Sequence, residues 1–247
     1  MTASLVVVGV GIRTPGHVTE EAKQAIERAA KVLFLVADPV AEEWIRRTNP
    51  EAETLVDCYR PGESRSVAYA EMVDRILSSL RAGKAVCAVF YGHPGVFVQP
   101  SHEAVRAARK EGFPATMLPG ISAEDCLFAD LGIDPAESGC QSFEATDFLA
   151  SERGFDPHSV LILWQVGVIG VSQFDPNGSA KGDIGVDQLV ERLVPIYGSG
   201  HEVILYEASP YLVAPPMIRR QSLEQLRSVP VPPIATLFVP PVDSQSP

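Results

Sequence analysis

The chain has 247 residues, of which 46% are hydrophobic, and its formal net charge is −11. This composition indicates a globular protein with a substantial buried core. The acidic balance and the lack of a long basic run argue against a general nucleic-acid binder. The apolar runs have the length of strands, far below the roughly 20 residues that span a bilayer, so no membrane segment is expected.

The residue types that form disulfides and bind metals are scattered. The four cysteines, Cys58, Cys87, Cys126 and Cys140, have no CxxC spacing, and the five histidines form no HExxH pair. We therefore expect free thiols and no metal site. The N-terminal MTASLVVVGVG lacks the basic region and the small-residue cleavage site of a signal peptide, so the expected location is cytoplasmic.

Strands and helices alternate along the first half of the chain. Hydrophobic runs and helical periodicity predict strands at residues 5–10, 31–37, 85–90 and 115–118 and helices at 19–30, 38–47, 65–80, 101–110 and 122–131. Thr19 and Ser122 precede acidic residues and are predicted N-caps, whereas Gly83 is a predicted stop. This alternation is typical of parallel βαβ units.

The second half has a different texture. Strands are predicted at residues 160–165, 203–206, 217–222 and 235–239, a loop at 167–185, Pro-rich connections at 211–216 and 230–233, and a frayed tail at 240–247. This pattern predicts a mixed sheet. We place the boundary near Pro119 and Gly120, which gives an N-terminal parallel α/β domain over 1–119 and a C-terminal mixed-sheet domain over 120–247.

The segment from Phe90 to Ser101 follows a buried strand directly. Its Gly-His-Pro-Gly sequence cannot continue that strand, because proline has no N–H to donate. Ligands of open α/β sheets bind outside the carboxyl ends of the strands, so Tyr91, His93, Val96 and Phe97 are candidates for ligand contact. The alternatives are a plain Gly-Pro connection to the next helix, a loop-capping role for His93, and core packing of Val96 and Phe97. The loop GVGIRTPG after the first strand lacks the third glycine of a dinucleotide fingerprint.

Arg65 and Tyr69 lie one turn apart at the start of the predicted helix 65–80. Residues four apart share a helix face, and the N-terminal end of a helix favours an anion. The pair is therefore a candidate for handling negative charge. An ordinary cation–aromatic contact on a surface helix is the alternative.

Several motifs resemble one known superfamily. VGVG near the start, YGHPGVF after the mid-domain strand, LPGISAED and LILWQVG together look like the tetrapyrrole methylases. The resemblance implies a two-domain α/β fold of the class III S-adenosylmethionine methyltransferases, with the cofactor in the interdomain cleft. Its usual GPG and GDP motifs are replaced here by Gly11-Ile12-Arg13 and Gly92-His93-Pro94.

These replacements, with CYRPGESRSVAY, FYGHPGVFVQPSH, MLPGISAEDCLFADLG and WQVG, are more similar to the borosin peptide α-N-methyltransferases. That family methylates backbone amides of a ribosomal peptide. The resemblance implies that Tyr69 is the base, that Arg65 stabilises charge on a phenolate or imidate, that Tyr59 holds the peptide, and that Tyr91 both contacts the cofactor and orients the methyl group. The cofactor contacts that it implies are Tyr91, His93, Val96, Phe97, Ser122, Ala123, Gln165, Tyr206 and Thr236.

The resemblance also implies partners. Fungal borosin enzymes carry their substrate as a C-terminal extension, whereas this chain ends in VPPVDSQSP, so we expect a separate precursor peptide methylated in trans. A homodimer is expected from the family. Two other functions remain open: a tetrapyrrole C-methyltransferase, whose ring-carbon nucleophile would not need the Tyr59, Arg65 and Tyr69 set, and a catalytically silent peptide-binding module. An NAD-dependent enzyme ranks below both.

Overall fold

The computed structural model describes residues 2–151, 153–171 and 183–242. The chain divides into two compact units, one of residues 1–126 with 209–214 and one of residues 127–208 with 215–247. The ranges 1–119 and 120–247 remain a prediction about domains. Both predicted sheet types are observed, one in each unit.

The first unit contains a five-stranded parallel sheet in the order β3-β2-β4-β1-β5. Its strands are β1 (Ser4–Gly9), β2 (Lys31–Leu35), β3 (Ala52–Thr54), β4 (Ala85–Phe90) and β5 (Ala115–Met117). Its helices are α1 (Glu20–Arg28), α2 (Pro39–Thr48), α3 (Arg65–Arg81) and α4 (Gln99–Lys110), and α5 (Ala123–Leu131) begins here and continues into the second unit. A 3-10 turn at Val56–Cys58 precedes α3.

Local sequence signals account for the helix ends. The Thr19 hydroxyl accepts a hydrogen bond from the Ala22 N–H, and the Asp38 carboxylate caps α2, whose first residue is Pro39. Gly83 follows the end of α3 with φ +81°, a left-handed conformation that glycine adopts without strain. The predicted cap at Thr19 and the predicted stop at Gly83 are confirmed.

The central strands β1 and β4 are buried because helices cover both faces of a parallel sheet. Their register pairs Gly9 with Phe90, so the loops that follow them leave the sheet side by side. Those loops then pair with each other: the Gly11 N–H donates to the Gly92 carbonyl (3.2 Å), and the Gly92 N–H donates to the Gly11 carbonyl (3.0 Å). A Cβ atom at Gly9 would overlap the Gly92 carbonyl oxygen.

The second unit contains a mixed sheet in the order β6-β7-β10-β8-β9, in which β6 and β7 are parallel and the other pairs are antiparallel. Its strands are β6 (Cys140–Glu144), β7 (Val160–Trp164), β8 (Glu202–Glu207), β9 (Met217–Ser222) and β10 (Thr236–Val239). Its helices are α6 (Ala145–Ala150) and α7 (Asp183–Tyr197), with 3-10 turns at Val166–Val168 and Glu224–Ser228. Residues 243–247 of the predicted tail lie outside the described residues.

The predicted loop at 167–185 needs correction at both ends. A 3-10 turn covers its first residues, and α7 begins at Asp183, so Gly185 is helical. Its central part, 172–182, lies outside the described residues. Gly185 misled the sequence prediction because glycine disfavours helix interiors, yet a side chain here would overlap Ile169. Within the described residues, every helix is too short or too polar to cross a membrane.

The close approach of the first two loops predicts the effect of Gly9→Ala. The added methyl group would overlap the Gly92 carbonyl oxygen, so we expect the free energy of unfolding to fall by about 1 to 3 kcal/mol. Gly16→Ala is the matched control, because a Cβ there would lie 3.5 Å from the Arg13 carbonyl oxygen, an ordinary van der Waals distance. Chemical denaturation measures both variants, and equal losses would contradict the packing argument.

Candidate functional site

Three loops of the first unit leave the same edge of its sheet, after β1, β4 and β5. The paired glycines Gly11 and Gly92 join the first two loops. The third loop is also close, since a Cβ at Gly120 would lie 3.4 Å from the Gly92 carbonyl oxygen. This edge holds the carboxyl ends of parallel strands, where α/β proteins bind ligands. We take it as the candidate site.

The loop after β4 exposes a group of large apolar side chains. Tyr91, Val96 and Phe97 are 39%, 37% and 50% exposed, so the alternative that Val96 and Phe97 belong to the core is wrong. Phe97 also has φ +55°, a left-handed conformation that is strained for a bulky side chain. Strained backbone and exposed aromatic surface at one loop are features of binding sites.

His93 anchors this loop from inside. Its Nδ1 accepts a hydrogen bond from the Gly95 N–H at 2.9 Å, which requires an unprotonated Nδ1. In the neutral ring the proton is then on Nε2, which is left as the hydrogen-bond donor. The loop-capping interpretation of His93 is therefore correct as a structural statement, and its cofactor role remains a prediction.

The start of α4 adds further anchors that the sequence analysis did not single out. The Ser101 hydroxyl donates to the Pro94 carbonyl and lies 2.7 Å from the Val98 carbonyl, and His102 Nε2 lies 2.9 Å from the Gly95 carbonyl oxygen. Ser101 is fully buried. The loop is thus held at both of its bends, which presents Tyr91 and Phe97 on a fixed backbone.

Ser122 and Ala123 lie at the start of α5. The Ser122 hydroxyl accepts from the Asp125 N–H (3.2 Å) and donates to the Asp125 carboxylate (2.7 Å), which also accepts from the Ser122 N–H (2.6 Å). This is a capping box with aspartate in the place of glutamate. The predicted cap is confirmed, and it commits the Ser122 side chain to the helix.

Tyr59, Arg65 and Tyr69 are brought together around the start of α3. Arg65 is the first residue of the helix and Tyr69 follows one turn later, while Tyr59 comes from the segment before it. The two phenol rings meet edge to face, with centroids 6.3 Å apart and an interplanar angle of 72°. All three side chains are half-buried.

The surroundings of Tyr59 disfavour its ionised form. Burial raises the pKa of Tyr59 well above its ordinary value; the neighbouring Tyr69 raises it further, and the Arg65 charge lowers it by a smaller amount. Tyr59 is therefore protonated at neutral pH. It can donate a hydrogen bond but is a poor base.

The predicted residues of the second unit form their own group. Thr236 pairs with Tyr206 across the antiparallel strands β10 and β8, and the Val166 N–H, next to Gln165, donates to the Ala235 carbonyl at 3.0 Å. Gln165 has φ +59°. Together with Phe97 it is one of two non-glycine residues with positive φ in the described parts of the chain, and both are predicted cofactor contacts.

Buried contacts define the other side chains of this group. Tyr206 is fully buried, and its hydroxyl donates to Asp130 at 2.7 Å. Gly167 of the WQVG motif packs so closely that a Cβ there would overlap the Pro232 carbonyl oxygen. Asp130 was missed by sequence reasoning, because nothing in its own segment indicates a partner 76 residues away.

Comparison with known proteins identifies the family. Residues 4–168 match the model of the Tetrapyrrole (Corrin/Porphyrin) Methylases. The match covers more than half of the chain, and the chain belongs to this family. The motif resemblance and the predicted fold class are confirmed.

Among curated proteins, the chain is similar to methyltransferases that are named together with a cyclic peptide precursor. The chain is 43% identical, over 96% of its length, to both the methyltransferase/ribosomally synthesized cyclic peptide dendrothelin A precursor of Dendrothele bispora and the omphalotin A precursor of Omphalotus olearius, covering 58% of each. It is 42% identical to a type I borosin cyclic peptide precursor of Coprinopsis marcescibilis, over 96% of this chain and 62% of that protein. The chain therefore spans about three fifths of the length of these relatives.

Solved structures confirm the fold alone. The uroporphyrin-III-C-methyltransferase of Thermus thermophilus superposes with a TM-score of 0.68 at 19% identity, over 97% of this chain and 93% of that one. A cobalt precorrin-4 methyltransferase gives a TM-score of 0.67 at 15% identity, over 96% and 95% of the two chains.

The environment of Tyr59 predicts an unusual titration. Tyrosine phenolate absorbs at 295 nm, so the difference between the titrations of the wild type and Tyr59→Phe reports the ionisation of Tyr59. We expect this difference to appear well above the ordinary tyrosine pKa of about 10. Because the pKa is raised by folding, the stability due to Tyr59 is fully present below about pH 10 and is lost as the pH rises toward the folded value. The same comparison in denaturant is the control, and a signal near the ordinary pKa in the folded protein would contradict the assignment.

Proposed function

We propose that this protein is an S-adenosylmethionine-dependent methyltransferase that N-methylates backbone amides of a ribosomally made precursor peptide. The observation that carries the proposal is the cluster of Tyr59, Arg65 and Tyr69 at the start of α3. The 43% identity to proteins named as methyltransferase and cyclic peptide precursor supports it across nearly the whole chain.

The residues at the sheet edge fit the cofactor. An adenosyl and methionyl ligand needs apolar surface and a few polar contacts, and the loop after β4 offers the exposed Tyr91, Val96 and Phe97 with the His93 Nε2–H as donor. Ser122 and Ala123 would contribute backbone atoms, since the Ser122 hydroxyl is used in its cap. Gln165, Tyr206 and Thr236 remain proposed contacts. When bound, S-adenosylmethionine supplies an electrophilic methyl group and leaves as S-adenosylhomocysteine.

The chemistry requires help at two atoms of the peptide bond. The amide nitrogen is a poor nucleophile because its lone pair is delocalised into the carbonyl group. In the proposed reaction the amide N–H bond breaks, an N–C bond to the methyl carbon forms as the bond from that carbon to the donor sulfur breaks, and the proton would pass to Tyr69 in its phenolate form and then to solvent. Charge that develops on the carbonyl oxygen needs a donor or a cation nearby.

The two tyrosines divide these tasks. The raised pKa of Tyr59 keeps its proton in place, which suits it to donate a hydrogen bond to the peptide and makes it unsuitable as the base. Tyr69, on the same helix as Arg65, is left as the proposed base. The Arg65 guanidinium is always charged, so it stabilises either a phenolate or the developing imidate.

The precursor peptide is the proposed partner. The names of the relatives describe a methyltransferase and a precursor in one chain, which supports a peptide substrate but not its separation from the enzyme. Methylation of a separate peptide in trans therefore rests on the sequence-based expectation. The homodimer likewise remains a proposal.

Methylation of a tetrapyrrole is the second candidate function. The family model and the solved neighbours named as uroporphyrin-III and precorrin-4 methyltransferases favour it. A ring carbon activated by its own conjugation does not need a protein base to remove an amide proton. The Tyr59, Arg65 and Tyr69 cluster would then have no chemical task, which is why we rank this function second.

Mass spectrometry of the substrate tests the proposed function. The protein is co-expressed with a candidate precursor peptide encoded beside it, and also incubated in purified form with the peptide and S-adenosylmethionine. We expect gains of about 14 Da per transfer, since each replaces H by CH₃, located on backbone amides by fragmentation. No gain on any peptide, with a gain on a tetrapyrrole precursor, would favour the second candidate.

Variants at Tyr69 and His93 separate catalysis from cofactor binding. Tyr69→Phe removes the proposed base, so we expect turnover to fall by about 100-fold or more with unchanged cofactor affinity in calorimetry.

His93→Asn keeps an acceptor for the Gly95 N–H and removes the Nε2–H, so we expect weaker cofactor binding with an intact loop. Unchanged turnover in the first variant or unchanged affinity in the second would remove that residue from its role.

A further inference from the structure

Arg75 lies on the same helix as Arg65 and Tyr69, about one and a half turns beyond Tyr69. Its guanidinium reaches across to the segment that leads into Tyr59. Nη1 donates to the Asp57 carboxylate at 2.7 Å and to Cys58 Sγ at 3.5 Å, and Nη2 donates to the Thr54 carbonyl at 3.1 Å. One side chain therefore contacts three residues of the segment that runs from β3 to Tyr59.

The geometry of these contacts differs from that of a surface ion pair. The Arg75 side chain is only 27% exposed, and one of its partners is a main-chain carbonyl. The planar guanidinium supplies several donors in a fixed arrangement, so it restrains the segment in position and in orientation. Cys58, directly before Tyr59, is fully buried.

The same helix therefore controls both halves of the tyrosine pair. Tyr69 is part of α3, and Tyr59 follows a 3-10 turn that Arg75 ties to α3. The Tyr59 N–H donates to the Val56 carbonyl at 3.0 Å, which joins the tyrosine backbone to the restrained turn. Besides the direct contact between the two rings, whose centroids are 6.3 Å apart, the Arg75 contacts therefore join the backbone before Tyr59 to the helix that carries Tyr69.

We propose that Arg75 is a positioning residue for the methyl transfer, which acts by holding Tyr59 at its place against Tyr69. The inference rests on the proposed function, because it gives Tyr59 a task only if the enzyme binds a peptide at this cluster. Arg75 itself contacts no reacting atom in this scheme. Its effect on the reaction passes through the Tyr59 hydroxyl.

Arg75→Met tests the inference because it keeps most of the aliphatic stem and removes every donor. We expect kcat for peptide methylation to fall by about 10- to 100-fold, since displacement of a positioning group by about 1 Å costs this much. Cofactor affinity, measured by calorimetry, should stay at the wild-type value. Arg75→Lys keeps the charge without the fork of donors, so we expect it to recover part of the lost rate.

Arg81→Met is the matched control. Arg81 lies on the same helix and makes hydrogen bonds of comparable length, 2.9 and 2.6 Å, to Glu111, which is not part of the segment before Tyr59. We expect a kcat within about twofold of the wild type, because exposed ion pairs contribute little. A loss in this variant as large as in Arg75→Met would overturn the inference, since it would reveal a general effect on the helix.

A double-mutant cycle with Tyr59→Phe separates positioning from general stabilisation. If Arg75 acts through the Tyr59 hydroxyl, Arg75→Met should change kcat little once that hydroxyl is gone. A loss of the same factor in both backgrounds would show that the two residues act independently and would overturn the inference. Arg75→Lys takes the place of Arg75→Met in the cycle if the methionine variant does not fold.

Thiol labelling of Cys58 gives a second readout that needs no turnover. Cys58 is buried beneath the Arg75 contact, and burial raises the pKa of its thiol, so it should react slowly in the wild type. Mass mapping should show labelling of Cys58 at least about tenfold faster in Arg75→Met, with the fully buried Cys87 unchanged as an internal control.

The labelling also distinguishes failure of the inference from failure of the proposed function. A wild-type protein that methylates no peptide removes the proposed function and, with it, the catalytic task of Arg75. Faster labelling of Cys58 in that case would keep Arg75 as an anchor of the turn only. Equal labelling in Arg75→Met and the wild type would overturn the anchoring itself, whether or not the wild type is active.

Discussion

The pairing of two loops at the centre of the parallel sheet sets the geometry of the candidate site. Strands β1 and β4 are neighbours in register, and the main chains that leave them remain paired at Gly11 and Gly92. Two segments of the main chain can approach this closely only where side chains are absent, which is why a glycine, Gly9, faces the Gly92 carbonyl oxygen. The exposed Tyr91 and Phe97 flank the turn that follows Gly92. The candidate binding surface is thus a consequence of backbone packing two residues from a buried strand.

Much of this fold could be predicted from the sequence because the signals are local. Strands buried on both faces read as continuous apolar runs, and helix starts carry their own caps, as Thr19 and Ser122 do. β6 escaped prediction because none of its five residues is fully buried, so it shows neither an apolar run nor alternation. α7 escaped because it contains Gly185 and Pro195, which are disfavoured in helix interiors.

The candidate site also combines features that local sequence patterns predict with contacts that they do not predict. The sequence motifs predict that the loop after β4 and the start of α3 contribute to the site. Helical periodicity alone places Arg65 and Tyr69 on one face of the helix. No local pattern pairs Gly11 with Gly92, and none directs Arg75 to Thr54, because such contacts exist only after the chain has folded. The sequence predicted Val96 and Phe97 as ligand contacts but could not exclude core packing, since an apolar pair beside a strand is also typical of a core. The proposed site residues are therefore easier to predict from the sequence than the residues that hold them in place.

Fold and substrate have to be argued separately in this family. Proteins at 15% to 19% identity share the fold, yet they are named as tetrapyrrole methyltransferases, so the architecture alone does not select a nucleophile. A conjugated ring carbon is already nucleophilic through its π electrons, whereas an amide nitrogen becomes nucleophilic only when its own N–H proton is removed. At the start of α3 two phenols are in contact, and an arginine lies on the helix face of one of them. Burial raises the pKa of Tyr59, so this phenol keeps a proton that it can donate. A neutral donor, a second phenol and a fixed positive charge are the groups that the proposed methylation of an amide would use, and this cluster, more than the fold, is the ground for that proposal.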